Sequence, residues 1–187
     1  DPAALSPHCV DAMYVEPDGT LWVGTVDGGL NQKEPISSEF QHFTTQNSSL
    51  VHNAVSTLAA DNRRRLWIGT WGGGVDILML DNPDEIYHLD VAENYKRLLY
   101  HVGALAYDKY NDGMWIGTND GLFFYDFQTR TLLLPFKGCL EVRGCIGSLI
   151  DSNGLLWIGS QTGMRIIDLT QRNHKAKFQF THRSYMF

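Results

Sequence analysis

One five-residue phrase occurs four times in this chain, and it constrains the fold more than any other feature. Each copy reads leucine or methionine, tryptophan, valine or isoleucine, glycine, then threonine or serine. The copies begin at Leu21, Leu66, Met114 and Leu156. Their tryptophans are 45, 48 and 42 residues apart, and they account for four of the five tryptophans in the chain. A period of this length predicts a repeat protein in which each unit packs against the next.

Turn sequences flank every copy of the phrase. Asp18-Gly19 precedes the first copy and Asn153-Gly154 the last, and glycines such as Gly72-Gly73-Gly74 follow. Such residues favour hairpin turns. Between the turns, short runs rich in Val, Ile, Leu and aromatic residues predict four strands per unit, the last of them near residues 177–182, and no helix is predicted. The predicted units cover about residues 8–46, 52–92, 100–138 and 143–184.

Four short antiparallel strands per unit are typical of a β-propeller blade. The sequence therefore predicts an all-β fold with four consecutive four-stranded antiparallel blades. We expect these blades to be an arc of a larger propeller, of the seven-bladed type. The open faces at the two ends of the arc would be apolar. We therefore expect them to associate with the remaining blades of the same propeller or with another copy of the chain.

The repeated residues themselves are predicted to be structural. A flat indole suits the gap between two packed sheets, and a glycine two residues later lets the neighbouring backbone approach closely. These structural positions are Trp22, Trp67, Trp115, Trp157, Gly24, Gly69, Gly117 and Gly159.

Charge and hydropathy exclude two kinds of partner. The formal net charge is −6, and the one basic run, Arg63-Arg64-Arg65, is interpreted as a solvated turn, so a nucleic-acid surface is not expected. No run approaches the ~20 apolar residues that span a bilayer. Residues Asp1-Pro2 open directly into folded-looking sequence without a signal peptide. We therefore expect a mature or excised segment that meets a membrane only through parts of the protein outside it.

Cysteine and histidine patterns predict neither a metal site nor a cofactor. Three cysteines cannot all pair within the chain. Cys139 and Cys145 are close enough in sequence for a short-loop disulfide, but unpaired, partly buried thiols are the preferred interpretation. The seven histidines lack ligand spacing. No catalytic residue is predicted.

The phrase Leu-Trp-Ile-Gly-Thr followed by a Gly-Gly-Leu turn resembles the two-component regulator propeller repeat. Four copies span essentially the whole chain, and Asn53-Ala54-Val55-Ser56, ahead of the second copy, also looks like the family. Two departures concern loop shape. The turns Asn119-Asp120-Gly121 and Gln161-Thr162-Gly163 are one residue shorter than the first two, and Arg63 stands where the second unit should have its turn glycine.

The resemblance implies the periplasmic sensor domain of a hybrid two-component system sensor histidine kinase. It implies an ectodomain of an inner-membrane protein that recognises glycan fragments and signals to a cytoplasmic kinase outside this segment. A dimeric parent sensor is expected. The chain itself is expected not to be an enzyme.

A ligand is expected on the loops that follow the second strands and connect successive blades, because variable loops on a rigid scaffold commonly bind ligands. Trp71 is the one tryptophan outside the repeated phrase, and it offers an aromatic face for a sugar ring. The alternative is that Trp71 packs between blades or against another domain. The candidate ligand residues are Trp71, Asn53, Tyr100, His101, Asn119, Asp120 and Arg143.

Two other functions stay open at this point. An antibiotic-lyase propeller carries a loosely similar pattern, but an enzyme needs a convergent acid and base, and the sequence offers no such set. A protein-interaction scaffold is the third possibility.

Overall fold

The computed structural model describes residues 4–6, 8–135, 144–161 and 163–170, together with the backbone of 182–185. The chain divides into two units, Asp1–Asp90 and Val91–Phe187, and each contains two four-stranded antiparallel sheets. In every sheet the four strands lie side by side in the order in which they occur in the chain. This is the strand arrangement of a propeller blade, and the predicted fold class is confirmed.

The first unit contains blades 1 and 2. The strands of blade 1 are β1 (Val10–Val15), β2 (Leu21–Thr25), β3 (Leu30–Lys33) and β4 (Gln41–Phe43). Those of blade 2 are β5 (Val55–Ala60), β6 (Arg65–Thr70), β7 (Val75–Met79) and β8 (Asn82–His88).

The second unit contains a short helix followed by blades 3 and 4. The helix is α1 (Glu93–Lys96). The strands of blade 3 are β9 (Val102–Asp108), β10 (Gly113–Thr118), β11 (Leu122–Asp126) and β12 (Thr131–Leu133). Those of blade 4 are β13 (Cys145–Ile150), β14 (Leu155–Ser160), β15 (Gly163–Asp168) and β16 (His182–Tyr185).

One detail of the predicted strand and helix content is wrong. The helix α1 is not predicted, because a single turn is too short to show a helical period. An ion pair of 2.8 Å joins Lys96 to Glu93, and the ring of Tyr95 meets that of Phe123 edge-on. The last described strand, His182–Tyr185, meets the predicted range of 177–182 at His182, and residues 177–181 lie outside the described part of the chain. It pairs with β15, placing Arg183 opposite Ile166.

A buried apolar layer joins the two sheets of the first unit. Trp22 of blade 1 is fully buried, and its ring lies 5.8 Å from that of Phe43. Both side chains belong to one cluster with residues of blade 2, including Leu66 and Ile68. The repeated tryptophan of blade 1 therefore occupies the gap between two sheets. Burying such a side chain contributes roughly 1.5–3 kcal/mol.

The same layer recurs in the second unit. Trp115 lies 4.9 Å from Phe124, ring centre to ring centre, and both pack in one cluster with Leu156 and Ile158 of blade 4. Trp67 of blade 2 is also fully buried, whereas Trp157 of blade 4 is only partly buried.

The glycine of the repeated phrase lies where the next blade begins. A β-carbon added to Gly24 would come 2.5 Å from Val55 Cγ1, and one added to Gly117 would come 2.6 Å from Cys145 Cβ. Val55 and Cys145 are the first residues of the strands that open the following blades. At Gly159 the nearest described atom is 3.8 Å away. Only a residue without a side chain fits at the first two positions.

Every repeated indole donates a hydrogen bond to a carboxylate in the turn before it. The acidic residue stands six residues ahead of the tryptophan in blades 1, 2 and 4 and seven ahead in blade 3, where the turn has one more residue. The Nε1–oxygen distances are 2.9 Å for Trp22–Glu16, 2.8 Å for Trp67–Asp61, 3.0 Å for Trp115–Asp108 and 3.0 Å for Trp157–Asp151. Each contact satisfies a polar atom at the edge of an apolar layer.

The same turns require a left-handed residue three positions before each tryptophan. Gly19 and Gly154 supply it in blades 1 and 4, with φ of 94° and 78°. In blade 2 the position belongs to Arg64, with φ of 56°, and not to Arg63 as predicted. Asp112 takes it in blade 3 with φ of 51°, which is a conformation that aspartate tolerates better than most residues.

Arg64 shows that the basic run is more than a solvated turn. Its guanidinium is half exposed, and it bonds Glu16 of blade 1 at 3.0 Å and Asp81 at 2.9 Å. Glu16 is the residue that accepts the Trp22 indole. The next arginine, Arg65, pairs with Asp61 at 2.6 Å. The arginine run therefore ties the hairpin ends of blades 1 and 2 together.

The turn carboxylate of blade 4 gives a pH-dependent prediction. Hydrogen bonds from the Leu155 amide first, and then from the Trp157 indole, hold the pKa of Asp151 below its usual range. Such a group stabilises the folded state fully above the usual carboxyl pKa of about 3.9, and this contribution is lost as the pH falls through the lowered value. In Asp151→Asn we expect a shallower fall of the free energy of unfolding below about pH 4, measured by urea titration at a series of pH values. An unchanged slope would contradict this role.

Candidate functional site

One backbone hydrogen bond recurs in all four blades and defines the candidate ligand loops. The residue after the repeated threonine or serine donates its N–H to a carbonyl just before the first strand of the same blade. The N–O distances are 3.0 Å for Val26–Cys9, 2.9 Å for Trp71–Ala54, 3.3 Å for Asn119–His101 and 3.2 Å for Gln161–Gly144. The backbone at this position is fixed, while the four side chains differ and are exposed. A constant backbone with a variable side chain suits ligand recognition.

The repeated threonine closes each of these loops. Thr70 Oγ1 donates to the Gly74 carbonyl at 2.9 Å and accepts the Gly73 amide at 3.0 Å. In blade 3, Thr118 makes the corresponding bond to Gly121, one residue nearer along the chain. This agrees with the shorter third turn that the sequence indicates. The loops are therefore held by their own polar groups.

Trp71 extends from such a loop into solvent. It is 51% exposed, in contrast to Trp22, Trp67 and Trp115 of the repeated phrase, which are buried. The two residues after it pack on the segment between blades 1 and 2. A β-carbon on Gly72 would lie 2.7 Å from His52 Nε2, and one on Gly73 would lie 2.8 Å from His52 Cβ. Gly72 also has φ of 134°, so this close seating depends on glycine.

His52 and Val51 are parts of this surface that the predicted ligand set does not contain. His52 Nδ1 accepts the Ala54 amide at 3.0 Å, and Ala54 in turn accepts the Trp71 amide. Val51 is 45% exposed, and its Cγ1 lies against Gly73. The histidine is visible in the sequence as a neighbour of Asn53, but nothing in the pattern indicates that the glycine loop rests on it. We call Val51, His52, Asn53 and Trp71 the Trp71 surface.

Asn53 lies in the same unit as Trp71, and its side chain is engaged within the loops. Asn53 Oδ1 accepts the Thr45 amide at 2.9 Å, and its carbonyl accepts the Gly29 amide at 2.9 Å. The residue thus joins two loops of blade 1 to the start of blade 2. Its role as a polar contact to a ligand stays a prediction, and its role in holding the connection is evident.

The other described candidates lie in the second unit. Tyr100 is 52% exposed, and its ring meets that of His101 at 4.9 Å, nearly edge-on. Asn119 donates to the His101 carbonyl, and its own carbonyl accepts the Gly144 amide at 3.2 Å. The backbone amide of Asp120 donates to Thr118 Oγ1. Asp120 is exposed, and its side-chain carboxylate takes no part in that bond. These four residues form a second loop cluster.

Three residues named from the sequence lie outside the described part of the chain. Arg143, a candidate ligand residue, is one of them, and Cys139 and Thr162 are the others. Cys145 is buried at the start of β13, and desolvation raises the pKa of its thiol to about 11. Cys9 is an exposed thiol.

Metal sites and membrane-spanning helices are both absent from the described residues. No three histidine, cysteine or acidic side chains among them come together as a metal site. None of the described helical segments has the length and hydrophobicity to span a bilayer.

Residues 49–72 match the family model of the two-component regulator propeller. The match covers the Trp71 surface and the second copy of the repeated phrase. The chain is also 30% identical over 109 residues to a protein named histidine kinase P4 from Formosa agariphila, and this alignment covers 56% of the chain.

Solved structures show the same fold. The chain resembles the extracellular domain assigned to hybrid two-component system BT3049 of B. thetaiotaomicron, with a TM-score of 0.72 and 23% identity over 100% of the chain. It resembles that of BT4673 from the same organism with a TM-score of 0.74 and 21% identity over 94% of the chain. The chain spans 23% and 22% of these two structures and 8% of the histidine kinase. It is thus much shorter than its relatives.

Proposed function

We propose that this chain is a segment of a two-component regulator propeller and forms part of the extracytoplasmic ligand-sensing domain of a hybrid two-component sensor. The family match and the fold of the two extracellular domains support this assignment. The proposed parent protein is an inner-membrane sensor that works as a dimer, with its histidine kinase outside this segment. In this proposal the segment binds a ligand and catalyses no reaction, in contrast to the antibiotic-lyase alternative.

We further propose that the ligand is a glycan fragment, and one observation carries this. Trp71 presents half of its indole to solvent from a loop whose backbone is fixed on both sides. The C–H face of a sugar ring stacks on an aromatic face, and a rigid aromatic loses little conformational entropy on binding. The loop cluster of the other unit is a separate candidate contact for a glycan, and there Tyr100 offers an exposed ring beside His101. Asn119 and Asp120 supply polar groups for hydroxyls.

Calorimetry with a panel of neutral and acidic oligosaccharides tests the proposal. We expect at least one oligosaccharide to bind the wild-type chain, and Trp71→Ala to weaken its binding by roughly ten-fold or more, because the stacked apolar area is lost. Tyr87→Ala is the matched control, since Tyr87 is 49% exposed in the same unit but lies on β8. It should bind as tightly as wild type.

Two outcomes would contradict this proposal. If no oligosaccharide binds the chain or the full-length sensor, the ligand is not a glycan. If Trp71→Ala and Tyr87→Ala bind equally well, Trp71 does not contact the ligand. Neither outcome changes the fold.

A further inference from the structure

A buried carboxylate lies beneath the segment that carries the Trp71 surface. Asp76 is the second residue of β7 and is fully buried. Its Oδ2 accepts the Val51 amide at 2.8 Å, and its Oδ1 lies 2.9 Å from Nδ1 of His88 on β8. A buried carboxylate is costly unless its oxygens are hydrogen-bonded, so this geometry fixes both partners firmly.

Val51 begins a short chain of contacts that ends at Trp71. Its side chain lies against Gly73, and the following residue, His52, lies against Gly72. His52 accepts the Ala54 amide, and the Ala54 carbonyl accepts the Trp71 amide at 2.9 Å. The Asp76 carboxylate therefore fixes the segment 51–54, against which the glycines that follow Trp71 pack.

Blade 1 contains the same position, and its polar side chain holds the segment ahead of its own first strand and not residues 51–54. Asn31 lies opposite Val23 on the neighbouring strand, as Asp76 lies opposite Ile68. Asn31 is equally buried and lies 2.6 Å from His42 Nδ1, as Asp76 lies beside His88. Its remaining contacts are with Ser6 and the Val23 carbonyl and not with residues 51–54. Ser6 stands four residues before the first strand of blade 1, as Val51 does before that of blade 2. The two positions thus share burial, a histidine partner and the kind of segment they hold, but only Asp76 holds the segment of the Trp71 surface.

We propose that Asp76 is a positioning residue for the Trp71 surface. It fixes the Val51 amide. Through the contacts of the segment 51–54 it thereby determines the position of the Trp71 indole. The inference rests on the proposed function only for the statement that this surface meets a ligand. The positioning itself is measured without one.

Amide hydrogen exchange of the ligand-free chain tests the proposal. In Asp76→Ala we expect the Val51 amide to exchange roughly ten- to a hundred-fold faster, because a hydrogen bond to a charged group is lost. The Trp71 amide should accelerate as well, and acrylamide should quench Trp71 fluorescence more readily in a Trp157→Phe background. Amides of β6 should keep their protection, which shows that the sheet is intact.

Asn31→Ala and Asp76→Asn complete the experiment. Asn31→Ala removes the corresponding buried polar group of blade 1 and should leave the exchange of Val51 and Trp71 unchanged. Asp76→Asn keeps an oxygen for the Val51 amide, so its exchange should stay close to that of wild type. Asp76→Leu fills the space of the side chain without offering an acceptor and replaces Asp76→Ala if that variant does not fold, and unchanged Val51 exchange in it would overturn the proposal. Unchanged Val51 exchange in Asp76→Ala, or equal acceleration of Trp71 in Asn31→Ala, would overturn it too.

Discussion

Asp108→Ala is expected to lower the free energy of unfolding by roughly 3 kcal/mol or more. One oxygen of this fully buried carboxylate accepts the amides of Tyr110 and Asn111, at 2.9 and 3.0 Å. The other accepts the Asn111 side-chain amide at 2.8 Å and the Trp115 indole at 3.0 Å. Alanine removes all four bonds and leaves the indole N–H without its carboxylate acceptor inside a packed layer. Urea unfolding followed by circular dichroism measures the loss.

Asp126→Ala is the matched control for the indole contact. Asp126 lies in the same blade, is also buried, and accepts the amides of Gln128 and Thr129 in its own turn. Its described bonds do not include a tryptophan. We expect this variant to lose only about 1–2 kcal/mol, the cost of an uncapped turn. Equal losses in the two variants would show that the indole bond contributes nothing to stability.

Gly117→Ala is expected to lower the free energy of unfolding by roughly 1–3 kcal/mol, while the same substitution at Gly159 changes it by less than about 0.5 kcal/mol. Both glycines occupy the fourth place of the repeated phrase. A methyl group on Gly117 collides with Cys145 Cβ at 2.6 Å, and Cβ atoms cannot rotate away. Next to Gly159 the nearest described atom is 3.8 Å distant, so a methyl group fits.

The measurement is a pair of urea titrations on otherwise identical chains. Gly24→Ala repeats the test in the first unit, where the methyl group would meet Val55 Cγ1 at 2.5 Å, and it should behave like Gly117→Ala. If Gly159→Ala costs as much as Gly117→Ala, the glycine serves the strand itself and not the approach of the next blade.

The fold could be predicted from the sequence because the same pattern of strands and turns occurs four times. One indole per unit, turns at both ends of a strand, and alternating apolar runs together favour one arrangement. A feature that occurs only once in the chain was not predicted. The helix at Glu93–Lys96 is a single turn, which shows no period in the sequence.

The candidate site was predictable in part. The exposure of Trp71 follows from its place after the repeated threonine, because that place lies outside the strand. The hydrogen bonds between the turn carboxylates and the repeated indoles were not predicted from the sequence. The acid before Trp115 is displaced by one residue relative to the other blades, and Glu16 replaces aspartate, which hides the regularity. Asp76 was not predicted because its partner at Val51 is a backbone amide. Every residue except proline has such an amide, so the sequence does not indicate this contact.

The backbone bond that fixes the residue after each repeated threonine or serine has a consequence for how a surface on this scaffold can diversify. Valine, tryptophan, asparagine and glutamine stand at four equivalent places, at Val26, Trp71, Asn119 and Gln161, with the same main-chain anchor. A single codon change at any of them alters the chemistry offered to solvent without moving a strand. One side chain at a time can therefore be exchanged on this anchor, while the hydrogen bonds between the strands stay in place.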